Sequence, residues 1–207
     1  MNSENSELGS ILSEKYQKYL VSLRIRNESF YCVWGSDLSY HFDDKFVLDN
    51  KNNIIISKKV STLLRYLRKE NDVNLFDTEN TKVWLEMMEN ARNKDAKIES
   101  SSVYDLNILL EWLGVGCQKN LQMIPPLVFK EFTDFVNLID DYALQTKNKQ
   151  LIELTHETNL RQFWNVYYDK YIWKTDSLLD FHIIEENTRR SFLSASMLFL
   201  TRMRLVG

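Results

Sequence analysis

Two cysteines in 207 residues, Cys32 and Cys117, are too few for a disulfide framework, and neither sits in a metal-ligand spacing. Such thiols are expected buried and reduced, as in a cytoplasmic protein. Glycine and proline are nearly as scarce, at 5 and 2. That scarcity argues against folds built on glycine-rich phosphate loops or on many tight turns. A basic excess is missing too: 26 Lys and Arg face 29 Asp and Glu, for a formal charge of -3. Nucleic-acid binders draw much of their affinity from neutralising phosphates, so direct nucleic-acid binding is not expected. Long apolar runs are absent. The longest uncharged one, residues 191–201, is about half of what a membrane span needs. The N-terminus has no basic segment followed by an apolar one, so no signal peptide is readable and no membrane partner is expected.

What the chain does have is 44% hydrophobic residues, enough for a sizeable core at this length. Residues 1–10 are polar and read as a flexible terminus, with 11–207 as one domain. A helix is expected over 8–20. From 21 to about 57 the period shortens to two: Val21, Leu23 and Ile25 alternate with Ser22, Arg24 and Arg26. An aromatic and β-branched run, 30–34, follows. Residues 46–48 and 54–56 flank a turn-rich linker, 49–53, which reads as a hairpin.

Beyond 57 the period is helical. Ser57 is a candidate cap for a helix carrying Val60, Leu63, Leu64 and Leu67. Asp77 or Thr78 would cap another, with Val83, Trp84, Met87 and Met88 on one face. Ser102 and Asp105 resemble a capping box, and Gly114 and Gly116 would stop the helix that follows. Pro125 and Pro126 open a long helix to about 145. Two more helices are expected over about 157–173 and 186–205. The predicted fold is α+β: a predominantly α-helical single domain with a small N-terminal antiparallel sheet at about 21–57 and a helical remainder over 58–207. The charged loop 94–101 is the best point for a domain break, and none is expected.

Catalytic signatures are few. His156-Glu157 begins like a zinc helix motif, but Leu160 stands where the second histidine belongs. His182 and Glu185 form at most a lone His–Glu pair. His41, Asp43 and Asp44 form the densest polar constellation. Gly35-Ser36 ahead of them parallels the magnesium site of nucleotidyltransferases. Adjacent carboxylates on a strand point to opposite faces, however, so the two would not share a metal. The expected reading is a solvated turn, with no metal and no cofactor. An enzyme using the His41, Asp43 and Asp44 loop is the alternative.

Surfaces offer the better lead. On the 125–145 helix Phe129, Phe132, Val136, Ile139 and Ala143 share one sector, and Glu131, Asp134 and Asp141 lie opposite. Three acids on an exposed face would suit a basic partner. The stripe Phe163, Trp164, Tyr167, Tyr168 and Tyr171 reads as core with its tyrosine hydroxyls at the surface, or as an aromatic contact patch. Arg189, Arg190, Arg202 and Arg204 would neutralise nearby carboxylates.

The segment 45–67, KFVLDNKNNIIISKKVSTLLRYL, resembles the strand–turn–strand–helix openings of bacterial immunity proteins. These are the partners of contact-dependent growth-inhibition and other polymorphic toxins. The acidic, Gly- and Pro-poor composition is similar as well. The resemblance implies a cytoplasmic, non-catalytic module that binds one cognate protein toxin stoichiometrically, commonly a nuclease with a basic surface. Glu131, Asp134, Asp141, Tyr167, Tyr168 and Tyr171 are then the candidate contact residues. A regulatory adaptor is a further alternative.

Overall fold

Gln17 takes φ 53, the left-handed region that ends a helix, and the chain turns there from α1 (Glu4–Tyr16) directly into β1 (Lys18–Ile25). The computed structural model describes residues 4–93, 98–113, 125–173 and 186–207. Arg26 and Asn27, at φ 51 and 65, form a two-residue turn into β2 (Glu28–Ser36), with Ile25 paired to Glu28 and Lys18 to Gly35. Two successive positive φ values match the right-handed twist of the strands, as in a type I′ hairpin. At Gly35 a Cβ would lie 2.1 Å from the Gln17 carbonyl oxygen. Glycine is required there because the backbones approach so closely.

The expected helix over 8–20 therefore stops at 16, and Tyr19 and Leu20 belong to a strand. Strict alternation along β1 also fails. Leu20, Val21, Ser22 and Leu23 are all buried, so the strand is covered on both faces rather than one.

The remaining strands are short: β3 (Asp44–Phe46), β4 (Leu48–Asp49), β5 (Ile54–Ile56), β6 (Val73–Asn74), β7 (Ser102–Asp105) and β8 (Met203–Leu205). They complete two four-stranded sheets, ordered β3-β2-β1-β7 and β6-β4-β5-β8. The predicted hairpin is present as β4 and β5, with Leu48 opposite Ile54. The Asp49 carboxylate holds its turn, accepting from the Lys51 and Asn53 amides at 2.8 Å each. The second sheet is mixed, because β8 runs parallel to β5. The β structure thus extends beyond the predicted 21–57 and is not wholly antiparallel. Strands of two to four residues are too short to show a period.

Eight α-helices among the described residues make the α+β fold predominantly helical. The chain divides into two compact units, Met1–Tyr104 with Arg202–Gly207, and Asp105–Thr201. In the first, α2 (Val60–Lys69) and α3 (Thr78–Asn93) pack together. Leu63, Leu64, Leu67, Trp84, Leu85 and Met88 join Leu20, Val33 and Ile55 in one core. The N-cap of α2 is Lys59, not Ser57. The Ser57 hydroxyl instead accepts from the Lys59 amide at 3.3 Å. On α3, Trp84 and Met88 face inward, but Val83 and Met87 are exposed.

One cation is fully buried in this unit. The Lys18 ammonium donates to Asp77 Oδ2 at 2.9 Å and to the carbonyls of Tyr16 and Ser36 at 3.0 and 2.7 Å. All three of its protons have acceptors.

In the second unit α4 (Leu106–Leu113) is capped by Asp105, whose carboxylate accepts from the Asn107 amide at 3.0 Å. Ser102 is not the cap, since it lies in β7. The expected stops at Gly114 and Gly116 lie outside the described residues. Helix α5 (Pro126–Thr146) begins with Pro at its first turn, as its sequence predicts, and ends at a left-handed Lys147. Then come α6 (Lys149–Thr155), α7 (Thr158–Tyr167), a π-helical turn (Tyr168–Ile172) and α8 (Glu186–Leu200). Rings from α5 and α8 form the core: Phe132 and Phe135 lie 4.7 and 6.2 Å from Phe192, and Tyr142 lies 5.6 Å from Phe199. Aromatic pairs at these separations add to the burial of their area. Helix α8 ends before 205, with Ser191, Phe192, Ala195, Ser196 and Phe199 buried and Met197 exposed. It is amphipathic rather than apolar on every side.

Candidate functional site

The turn between β2 and β3 holds His41 and Asp43, and Asp44 begins β3 beside them. The turn's organising group is Asp37, which is buried. One Asp37 oxygen accepts from the Ser39 amide and hydroxyl at 3.1 and 2.6 Å, and the other pairs with Lys45 Nζ at 2.7 Å. Burial pushes the Asp37 carboxyl up, but bonds from Lys45 and Ser39 and the lysine charge outweigh it and leave the acid below its ordinary range. Asp44 accepts from the Ser36 hydroxyl at 2.6 Å. His41 and Asp43 stand in solvent, with the His41 ring edge-on to Tyr40 at 4.5 Å. Among the described residues no group of three His, Cys, Asp or Glu is placed to hold a metal ion.

The α5 surface is a different matter. Its inward side is broader than one apolar sector: Phe135, Leu138 and Tyr142 are buried along with Phe129, Phe132, Val136, Ile139 and Ala143. Glu131 falls between Phe135 and Leu138 on the helix wheel and is half-buried, which removes it from the exposed acidic face. Desolvation raises its pKa, against a lowering hydrogen bond from the Asp105 backbone. Asp134 and Asp141 remain in the outward arc, half-buried, with Asp134 paired to Lys130 one turn earlier. Between them lies Asn137, three residues after Asp134 and four before Asp141, on the same row of the helix.

Helix α7 meets that row. The Trp164 indole donates to Asn137 Oδ1 at 2.6 Å and stacks on the Tyr168 ring at 4.1 Å. The Arg161 guanidinium lies 5.8 Å from the Trp164 ring, within reach of a cation–π contact. Arg161 also approaches His156 Nε2 at 3.0 Å, and the same nitrogen is 3.1 Å from Asp140 Oδ1. Protonated, that nitrogen donates to Asp140; deprotonated, it accepts from Arg161. The Thr155 hydroxyl donates to the same Asp140 oxygen at 2.7 Å.

The structure therefore brings Asp134, Asp141 and Tyr168 to one surface, around Asn137 and Trp164. The side chains of Phe163, Tyr167 and Tyr171 lie outside those described, as do His182, Glu185 and Cys117. Just beyond the stack Ile172 and Trp173 are exposed, at 49% and 68%. Asn137, Arg161 and the Asp140–His156 pair were not singled out by sequence reasoning. The only signal was the polar row 134, 137 and 141.

Elsewhere, burial pushes the Cys32 thiol up to about 12, which makes it inert rather than nucleophilic. Arg190 pairs with Glu186 at 3.3 Å and Arg204 with Asp49 at 3.4 Å, the neutralising role expected of them. No described helix is long and apolar enough to cross a membrane.

No protein-family model and no curated protein matches the chain. Its fold is similar to that in the crystal structure of the SatS C-terminal domain in complex with bromine, with a TM-score of 0.62 at 13% identity. The match covers 94% of this chain and 96% of that one. Likeness at this identity concerns the fold alone.

Proposed function

We propose that the chain is a protein-binding module of immunity type, which neutralises a cognate toxin by stoichiometric binding. The observation that carries the binding part is the Arg161–Trp164–Tyr168 stack beside the acidic row of α5. Trp, Tyr and Arg are the residue types that dominate binding energy at protein interfaces. Here they are fixed by stacking and by the bond to Asn137, so little side-chain entropy remains to be lost on association. Asp134 and Asp141 beside them favour a basic partner and speed the encounter with it. A nuclease toxin has such a surface, and the 45–67 segment supports the immunity reading.

The test is rescue. Cells poisoned by a candidate toxin from the same genome are supplied with the wild-type chain or with Trp164→Ala. The wild type restores growth and forms a 1:1 complex, while the variant loses on the order of 30-fold in affinity. A 1:1 complex with a non-toxic protein would move the reading to a regulatory adaptor. Rescue by Trp164→Ala at wild-type strength would remove this surface from it.

A further inference from the structure

The β2–β3 turn carries two large aromatic side chains that the fold leaves in solvent. Tyr40 is 58% exposed and Phe42 70%, the highest exposure of any large hydrophobic residue among those described. Both His41 and Phe42 adopt left-handed backbone, at φ 51 and 60. That conformation is unfavourable for residues with a Cβ and persists where the surroundings over-determine it. They do so here: the Asp37 amide donates to the Asp43 carbonyl at 2.8 Å and the Tyr40 amide to the Asp37 carbonyl at 3.2 Å. Lys45, tied to the Asp37 carboxylate, lies 5.2 Å from the Tyr40 ring. The two aromatic groups thus project from a braced turn.

The turn's own charge is net negative. Residues 37–45 contain Asp37, Asp43 and Asp44 against Lys45 alone, and Lys45 is taken by Asp37. Asp44 is bound to the Ser36 hydroxyl and Asp43 is exposed, and neither has an ion-pair partner among the described residues. We infer that this turn is a docking knob: Phe42 and Tyr40 enter an apolar pocket on a protein partner, and Asp43 and Asp44 meet Lys or Arg side chains on the pocket's rim. Burying both rings supplies affinity, and the unneutralised carboxylates select a basic rim. The same carboxylates would be repelled by an anionic lipid surface. The inference rests on the protein-binding reading above, but it uses other residues than those of the α5–α7 stack.

The experiment places a photo-crosslinking benzoylphenylalanine at position 42, and in a control at the exposed Met197, in the full chain expressed in its native cells. The expected result is one protein adduct from position 42 and none from 197. That protein, purified, binds the wild-type chain about 30-fold more tightly than it binds Phe42→Ser or Tyr40→Ser. Its association with Asp43→Lys is slower by on the order of tenfold at low salt. All three side chains are exposed, so the variants keep the wild-type melting curve. No adduct at 42, an adduct with a second copy of this chain or with lipid, or wild-type affinity in all three variants would overturn the proposal. The two readings fail separately. A 1:1 complex weakened by Trp164→Ala but not by Phe42→Ser removes the knob and leaves the binding module, whereas absence of any stoichiometric complex removes both.

Discussion

Lys18 is the sharpest place to perturb the fold. Its side chain is 0% exposed and that of Asp77 4%, so neither charge can turn to water when its partner is removed. Asp77→Asn keeps the shape and, at φ 44, a backbone that Asn tolerates. It removes the countercharge and leaves the ammonium among neutral acceptors, beside the Phe76 ring at 5.1 Å. Breaking a buried pair from one side costs about 3–5 kcal/mol, because an uncompensated charge stays inside. Lys18→Met leaves the Tyr16 and Ser36 carbonyls without the cation as well, at about 1–3 kcal/mol for each unsatisfied buried group. The double variant removes both charges together. It is expected to be less destabilised than the sum of the singles by about 1–3 kcal/mol. Urea unfolding followed by tryptophan fluorescence measures all four states of the cycle, with Trp34 and Trp84 as reporters in this unit. Costs that add to within about 0.5 kcal/mol, or a single variant costing less than about 1 kcal/mol, would refute the claim that this pair is buried and coupled.

The remaining expectations concern pH, the thiol and the α5 surface. Burial pushes Asp49 up, but bonds from Asn53, Lys51 and Arg204 outweigh it and hold the acid below its ordinary value. A lowered folded-state pKa contributes stability that is full above the unfolded value, about 3.9, and is lost as pH falls through the folded one. Urea midpoints should therefore drop below about pH 4, and less steeply in Asp49→Asn than in wild type. In a Cys117→Ser background, the native chain should give no reaction with a disulfide reagent at about pH 8, because burial holds the Cys32 thiol at about 12. Full reaction after unfolding in urea completes that check, and native-state labelling would contradict the burial. Asp134→Asn with Asp141→Asn should leave the melting temperature nearly unchanged, since exposed and half-exposed pairs contribute about 0–1 kcal/mol. The same variant should slow partner association by on the order of tenfold at low salt, read by stopped flow, and an unchanged rate would take the acids out of the encounter.

What the sequence discloses depends on how local the cause is. Helix α5 is legible because its apolar residues repeat at helical spacing and its start carries prolines. The β4–β5 hairpin is legible because its turn residues hydrogen-bond within five positions, through Asp49. The boundary between α1 and β1 is not. Tyr19 and Leu20 fit a helical stripe equally well, and what decides is their pairing with Trp34 and Val33 on β2. β8 pairs with β5 across a sequence distance that no window spans, so the last residues read as more helix. Lys18 reads as an ordinary surface charge until Asp77, 59 residues away, is placed against it.

The candidate site divides along the same line. Asp134 and Asp141 follow from periodicity alone, because residues seven apart on a helix share a face. Glu131 does not leave the acidic group through any local feature. A helix wheel shows which arc is apolar, but the width of the buried arc is set by how many neighbours pack on it, and α4, α6, α7 and α8 all contact α5. That enclosure draws Glu131 inward beside Leu138 while leaving the row through Asn137 open to α7. The contact that gives the surface its shape, Trp164 to Asn137, spans 27 residues. Either side chain alone reads as unremarkable, one as a core aromatic and one as a solvated amide. Only the packing of α7 on α5 turns them into a fixed aromatic ledge between two carboxylates, which is why protein binding is an argument from the fold and not from a motif.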